Sequence, residues 1–251
     1  MPKFRAALVT SEVTFVPENY SLLVDELLAH DAVVALIVLK NSDFKLSLKA
    51  LGSMVLGAKQ VGRQLLLNQL AALRSRRRKR TEALSKKYLE LPDVKSPHSL
   101  ETFRELDLDL IINARTRFIY PKSLLEIPRL GCVNIHHGLL PDQRGTMCDL
   151  WALQAKVDSG FTVHWMNPKI DDGNIIEAHV VSKADENRKD YLDHIRRASM
   201  DEAKILKVLL DQMVEGRIPD GFPNLQAERR AHFKNPTPSE IKIMRAEGIC
   251  L

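Results

Sequence analysis

Residues 31–40 (DAVVALIVLK) form a near-continuous run of aliphatic, largely β-branched side chains with no polar alternation. A strand exposed on one side alternates apolar with polar residues. A strand without alternation must be covered on both faces, as in a parallel sheet flanked by helices. Residues 4–10 (FRAALVT) read as a preceding strand and residues 20–29 (YSLLVDELLA) as a helix with one apolar side, so the chain opens β-α-β. Residues 108–114 (LDLIINA) are another buried strand. Ser96 and Pro97, an N-cap followed by proline, open a helix through Arg104. Residues 121–127 start a short helix and residues 147–157 a longer one, with Trp151 turned inward. Residues 161–167 and 174–182 are two strands around the turn Asp171-Asp172-Gly173. Residues 188–216 form a long helix stopped by Gly216. The tail, with Pro219, Pro223, Pro236 and Pro238, is irregular apart from a short helix after Thr237.

Residues 44–87 break this rhythm. Leu46, Leu48, Leu51, Met54, Val55, Val61, Leu65, Leu66, Leu70 and Leu73 are spaced for helix with a broad apolar side, interrupted by Gly52, Gly57 and Gly62. The segment ends in Arg74, Arg76, Arg77, Arg78, Lys79 and Arg80. Those six charges exceed the net charge of +5, so the rest of the chain is close to neutral. Basicity is therefore local, which gives no general signature of nucleic-acid binding. The segment reads as a helical insertion packed on the sheet with a solvated basic end. An anionic-substrate grip and a basic helix lying on acidic lipid stay open as alternatives.

A chain of 251 residues suits one large α/β domain, or one with an appendage. Three scattered cysteines, Cys132, Cys148 and Cys250, suit neither a disulfide framework nor a zinc site, and fit a reducing cytoplasm. Met1 to Arg5 runs straight into a strand rather than an apolar leader, and no window is long enough for a transmembrane helix. A soluble chain, at most peripheral to a membrane, is expected. The turn after the first strand, Thr10-Ser11-Glu12-Val13-Thr14, lacks the glycines of a phosphate-cradling loop.

The chemistry gathers in residues 131–145 (GCVNIHHGLLPDQRG). An apolar strand ends there in Asn134, His136 and His137. In open α/β sheets ligands sit outside the carboxyl ends of the strands, and residues two apart share a face, so an amide donor and an imidazole can address one atom. Asn134-Ile135-His136, followed by Leu139-Leu140-Pro141 and Arg144-Gly145, resembles the signature of the folate-dependent formyltransferases. Thr162-Val163-His164, then Ile170-Asp171-Asp172-Gly173, resembles that family's T-V-H strand and D-x-G turn. Two motifs in order at this separation are far more specific than either alone. The resemblance implies a Rossmann-like formyltransferase fold, a mostly parallel twisted sheet with helices on both faces, occupying residues 1–216. Residues 44–87 are then a helical insertion and residues 217–251 an irregular C-terminal extension.

The same resemblance implies transfer of a formyl group from 10-formyltetrahydrofolate to the primary amine of a small acceptor. Such transfer passes through a tetrahedral carbon with a developing oxyanion and needs neither a metal nor a covalent nucleophile. Asn134 and a protonated His136 would donate to that oxygen, and Asp171 would hold the imidazole charged and relay protons. These three match the family's catalytic trio. Arg117, Phe118 and Ile119, with Leu140 and Asp171, correspond to the folate-binding positions. His137 stands where the family has proline, facing the acceptor pocket or solvent, and Arg144 is assigned to the acceptor. His164 braces the turn that carries Asp171. Gly138 replaces a serine.

A nucleotide-linked amino sugar is the first choice of acceptor, because the cluster from Arg74 to Arg80 could meet its diphosphate. The alternative is methionyl-tRNA, although that branch carries a further β-barrel for which residues 217–251 are too few. The Gly-free first turn argues against the purine precursor. A non-catalytic binding protein that keeps the fold is the reading from outside enzymology.

Overall fold

The structure, a computed structural model, describes residues 3–42, 44–225 and 232–251. Strand β1 (Ala6–Ser11) leads through a short 3-10 turn at Pro17–Tyr20 into helix α1 (Ser21–Ala29) and strand β2 (Val33–Leu39). Every residue of β1 is buried and β2 is nearly so, as an unalternated apolar run demands. Three helices follow, α2 (Phe44–Val55), α3 (Lys59–Leu73) and α4 (Arg76–Ala83), then strand β3 (Lys87–Leu91). The chain continues through α5 (Pro97–Arg104), β4 (Leu110–Ala114), α6 (Lys122–Leu125) and β5 (Gly131–His136). The Ser96 hydroxyl accepts from the Ser99 N–H, the cap expected from Ser-Pro.

After β5 come β6 (Arg144–Gly145), α7 (Cys148–Ala155), the strands β7 (Ser159–Trp165) and β8 (Ile175–Ser182), and the 24-residue helix α8 (Tyr191–Val214). The sheet order is β3-β2-β1-β4-β5-β7-β8. The first five of these strands are parallel, and β7 and β8 are antiparallel to their neighbours. One core cluster lies between the sheet and α1 and α8, where Leu23, Leu27, Leu206 and Leu210 are fully buried. A second, with Phe103, Leu106 and Leu124, fills the other face under α5 and α6. This is the α/β architecture with helices on both faces that the sequence implies.

Strand β3 is not apparent in the sequence. Its residues, KYLEL, lie at the sheet edge, and only Leu91 is fully buried, so the strand needs no apolar run to form. The tail carries the short helix expected after Thr237, α9 (Pro238–Ala246), and also strand β9 (His232–Phe233), which pairs with β6 and has no mark in the sequence. Thr237 and Glu240 close a capping box, and Ile241, Met244, Ile249 and Leu251 join the main core. Among the described residues no helix is long and apolar enough to cross a membrane.

Candidate active site

Register assembles the site. Asn113 of β4 stands opposite Asn134 of β5, and Asn134 stands opposite His164 of β7, so three polar side chains form one row across three strands. The row is hydrogen-bonded end to end. The Thr116 N–H donates to Asn113 Oδ1 (3.2 Å), Asn113 Nδ2 to Asn134 Oδ1 (2.9 Å), and Asn134 Nδ2 to His164 Nε2 (3.1 Å). His164 Nδ1–H donates to the Trp165 carbonyl (2.7 Å), which leaves Nε2 as the acceptor. The amide of Asn134 is thereby fixed with Nδ2 toward His164, and the second N–H on that nitrogen is not used by the row.

His136, two residues on, shares the face of Asn134. Its Nε2–H donates to the Gln143 carbonyl at 2.7 Å, and its Nδ1 lies 3.4 Å from Asp171 Oδ2. Residue 138 has no room for a side chain. A Cβ on Gly138 would come within 2.5 Å of the Gln143 carbonyl and 2.8 Å of His136 Nε2, so a serine there would disturb the loop that holds the imidazole. Burial pushes the His136 pKa below its ordinary value, and the nearby Asp171 charge recovers only part of the loss. The shift favours the neutral imidazole, and the bond to Gln143 leaves Nδ1 as its basic atom. The charged His136 expected at the oxyanion is then a form it reaches on taking up a proton.

Asp171 sits in the left-handed region (φ +49°), at the end of the turn joining β7 to β8. Gly173 permits that turn, because a Cβ there would come within 1.8 Å of the Trp165 carbonyl. Arg144 Nη2 donates to the carbonyls of Ile170 (2.5 Å) and Asp171 (3.1 Å), and Asn224 Nδ2 donates to Asp171 O at 3.0 Å. Arg144, expected on the acceptor, thus clamps the turn that carries Asp171. His164 Nε2 lies 3.7 Å from Asp171 Oδ1, beside the turn it is expected to brace. Burial raises the Asp171 pKa, but His164, His136 and Arg144 together outweigh it, so the carboxyl stays ionised well into the acid range.

His137 lies neither in an acceptor pocket nor at solvent. Successive residues at a strand end point to opposite sides, and His137 turns into the protein, where it is buried. Its Nδ1 is 3.0 Å from Asp149 Oδ2, and its Nε2 contacts Glu202 Oε1. Tyr20 donates to the other oxygen of Glu202, and the Tyr191 hydroxyl donates to Asp149 Oδ1 at 3.2 Å. Both carboxylates are fully buried. Desolvation and the positive charge of Arg115 pull the His137 pKa down, yet Glu202 and Asp149 prevail and raise it. His137 is a charged clamp between α7 and α8. Sequence reading missed Asp149, Glu202 and Arg115, which lie in an ordinary helix start, a helix interior and a loop, with no local pattern to mark them.

The loop assigned to folate follows β4 at the same carboxyl edge. Arg117 is exposed and its guanidinium stacks 4.5 Å from the Phe15 ring centroid, Phe118 is half-buried, and Ile119 stands out to solvent. Leu140 is buried, and its N–H donates to Thr162 Oγ1 at 3.0 Å, so that N–H is not available to a ligand. The basic cluster is divided. Arg77 turns inward, with Nη1 donating to the Ser11 carbonyl at 2.8 Å, and burial lowers its pKa to about 10. Arg76 and Arg78 lie 3.6 Å from Asp25 and Glu90, while Arg74, Lys79 and Arg80 are exposed.

A parallel sheet extended by two antiparallel strands, with an amide, an imidazole and a carboxylate at its carboxyl edge, defines the class to which the chain is to be compared. Residues 33–208 match the formyl transferase family model, and the chain belongs to that family. A methionyl-tRNA formyltransferase of Staphylococcus aureus is 36% identical over 118 residues, covering 47% of this chain and 37% of the relative. The chain thus spans well under half the length of the curated relatives it matches. The glycinamide ribonucleotide transformylase 1 of Symbiobacterium toebii shares the fold with a TM-score of 0.58 at 18% identity, covering 90% of this chain and 95% of that one. A sugar N-formyltransferase from Shewanella sp. FDAARGOS_354 superposes with a TM-score of 0.55 at 19% identity, covering 91% and 76%.

Proposed function

We propose that the chain transfers the formyl group of 10-formyltetrahydrofolate to the primary amine of a small acceptor, with a nucleotide-linked amino sugar as the first choice. The observation that carries this reading is the convergence of Asn134, His136 and Asp171, with His136 Nδ1 3.4 Å from the Asp171 carboxylate. The unused N–H of Asn134 Nδ2 donates to the formyl oxygen as negative charge develops on it. Neutral His136 accepts the amine proton at Nδ1, shares it with Asp171, and becomes a cation beside that oxygen. The proton then passes to the departing nitrogen of the folate. Charge is thus created in the buried site only when the transition state calls for it, and Asp171, already ionised, stabilises it.

The loop of Arg117, Phe118 and Ile119 offers an exposed apolar side chain and backbone next to this edge, and these residues with Leu140 form the donor site in this reading. Methionyl-tRNA is the second reading. It is favoured by the 36% identity over 118 residues to the Staphylococcus aureus enzyme. The test is absorbance-monitored release of tetrahydrofolate from 10-formyltetrahydrofolate with nucleotide-linked amino sugars and with methionyl-tRNA. Turnover with an amino sugar that Asn134→Ala abolishes supports the proposal. Turnover with methionyl-tRNA alone moves the acceptor to the second reading. Donor binding with no turnover on any amine ends the catalytic reading.

A further inference from the structure

Helices α2 and α3 form a hairpin on the carboxyl edge of the sheet. Asn68 Nδ2 donates to the carbonyls of Thr14 (2.9 Å) and Val16 (2.8 Å), and Leu46, Ala50 and Leu65 pack with Val13. The two helices touch closely, since a Cβ on Gly62 would come within 2.5 Å of the Ala50 carbonyl, and Ser47 Oγ bonds Gln69 at 3.2 Å. With its inner face satisfied, α2 needs no further apolar residues. It nonetheless carries Phe44, Leu48, Leu51 and Val55 at the i, i+4, i+7 and i+11 spacing, which falls within one narrow arc of the helix. That arc faces outward: Phe44 is 76% and Val55 87% exposed, with Leu48 and Leu51 about half exposed. On α3, Leu70 and Leu73 extend the exposed apolar surface.

The charge pattern names the occupant. Residues 44–81 contain ten Lys and Arg residues and no Asp or Glu. Lys45, Lys49, Lys59 and Arg63 are exposed on the two helices, and Arg74, Lys79 and Arg80 lie just beyond them. Nucleic acid would take the cations and leave the apolar arc in water. A second copy would bring two cationic faces together. A bilayer with acidic headgroups accepts both the apolar arc and its cationic flank. We propose that the α2–α3 hairpin docks the protein on anionic lipid, which holds the carboxyl edge of the sheet, and with it the candidate active site, beside the headgroups. This inference is independent of the proposed reaction.

The test is co-sedimentation of the purified chain with vesicles of phosphatidylglycerol and phosphatidylcholine in about equal parts, compared with phosphatidylcholine alone, at about 0.1 M salt. The expected partition onto the mixed vesicles is at least about tenfold higher, and it falls as salt rises. Replacing Phe44 and Val55 by serine together lowers it about tenfold without changing net charge, and Lys45→Gln with Lys49→Gln lowers it separately. Circular dichroism checks that the variants keep the fold. The salt and headgroup dependence of the unaltered chain tests the proposal even if a variant does not fold. Equal or absent binding to the two vesicle types overturns it. So does tRNA binding that needs the lysines but ignores the serine pair while vesicle binding is absent, or a dimer in sedimentation equilibrium that the serine pair dissolves.

Discussion

Two adjacent histidines have opposite fates. His136 and His137 differ by one position on the chain, are both buried, and each has carboxylate neighbours. His136 has one carboxylate at 3.4 Å and a carbonyl on its other nitrogen, and burial wins, so it stays neutral. His137 has a carboxylate against each nitrogen, and charge wins despite burial and Arg115. The number of carboxylates within contact, rather than depth, decides which imidazole is kept ready to gain a proton and which holds its proton more tightly. His194 supplies a third case. It is held between the Ser159 and Ser182 hydroxyls, and burial pushes its pKa down to about 4.

The comparison breaks first on activity. Asp171→Asn keeps a residue that tolerates the left-handed backbone but removes the charge, and should lower kcat by about 10³-fold or more in the folate assay with little change in melting temperature. Asn134→Ala should cost about 10²–10³-fold. The mirror experiment is His137→Ala, which strands two buried carboxylates and should destabilise the fold by about 3–5 kcal/mol in urea titrations. His136→Ala should cost no more than about 1–2 kcal/mol there while removing activity. If both substitutions lose stability equally, the two histidines do not have separate tasks.

The pH responses should also diverge. Proton acceptance requires neutral His136, so kcat/KM should be level near neutrality and fall with acid, with its midpoint below pH 6.5. His137 has a folded pKa above its unfolded value, so its contribution to stability is complete below about pH 6.5. That contribution is lost as pH rises through the folded value. Urea midpoints followed across this range should show a decline that His137→Ala flattens. The smallest effect expected is for Tyr191→Phe, about 1 kcal/mol, from loss of the hydrogen bond to Asp149.

Most of the strands and the motif residues were legible because each is marked locally: an unalternated run for β2, Ser-Pro for α5, Asp before Gly at the turn. What the sequence could not provide was register. That Asn113 joins the row of Asn134 and His164 follows from pairing across three strands, and nothing near Asn113 announces it. The partners of His137 come from positions 12 and 65 residues further on, in helices whose patterns look ordinary. Arg144 keeps its place in a motif, but its bonds to the carbonyls of Ile170 and Asp171 are not legible there, because those acceptors come within reach only in the folded turn. The basic cluster reads as one block, yet Arg77 turns into the fold, a direction that the helix phase alone does not reveal.

The reversal of strand direction at β5 sets a timetable for biosynthesis. When the ribosome has released the five parallel strands, Asn134 and His136 exist, but the carboxylate meant for them has still to arrive on the returning β7–β8 ribbon, and Glu202 is later still. A nascent chain halted before residue 171 therefore presents half a site, with His137 lacking its second counter-ion. Competence therefore waits on segments made after the five parallel strands.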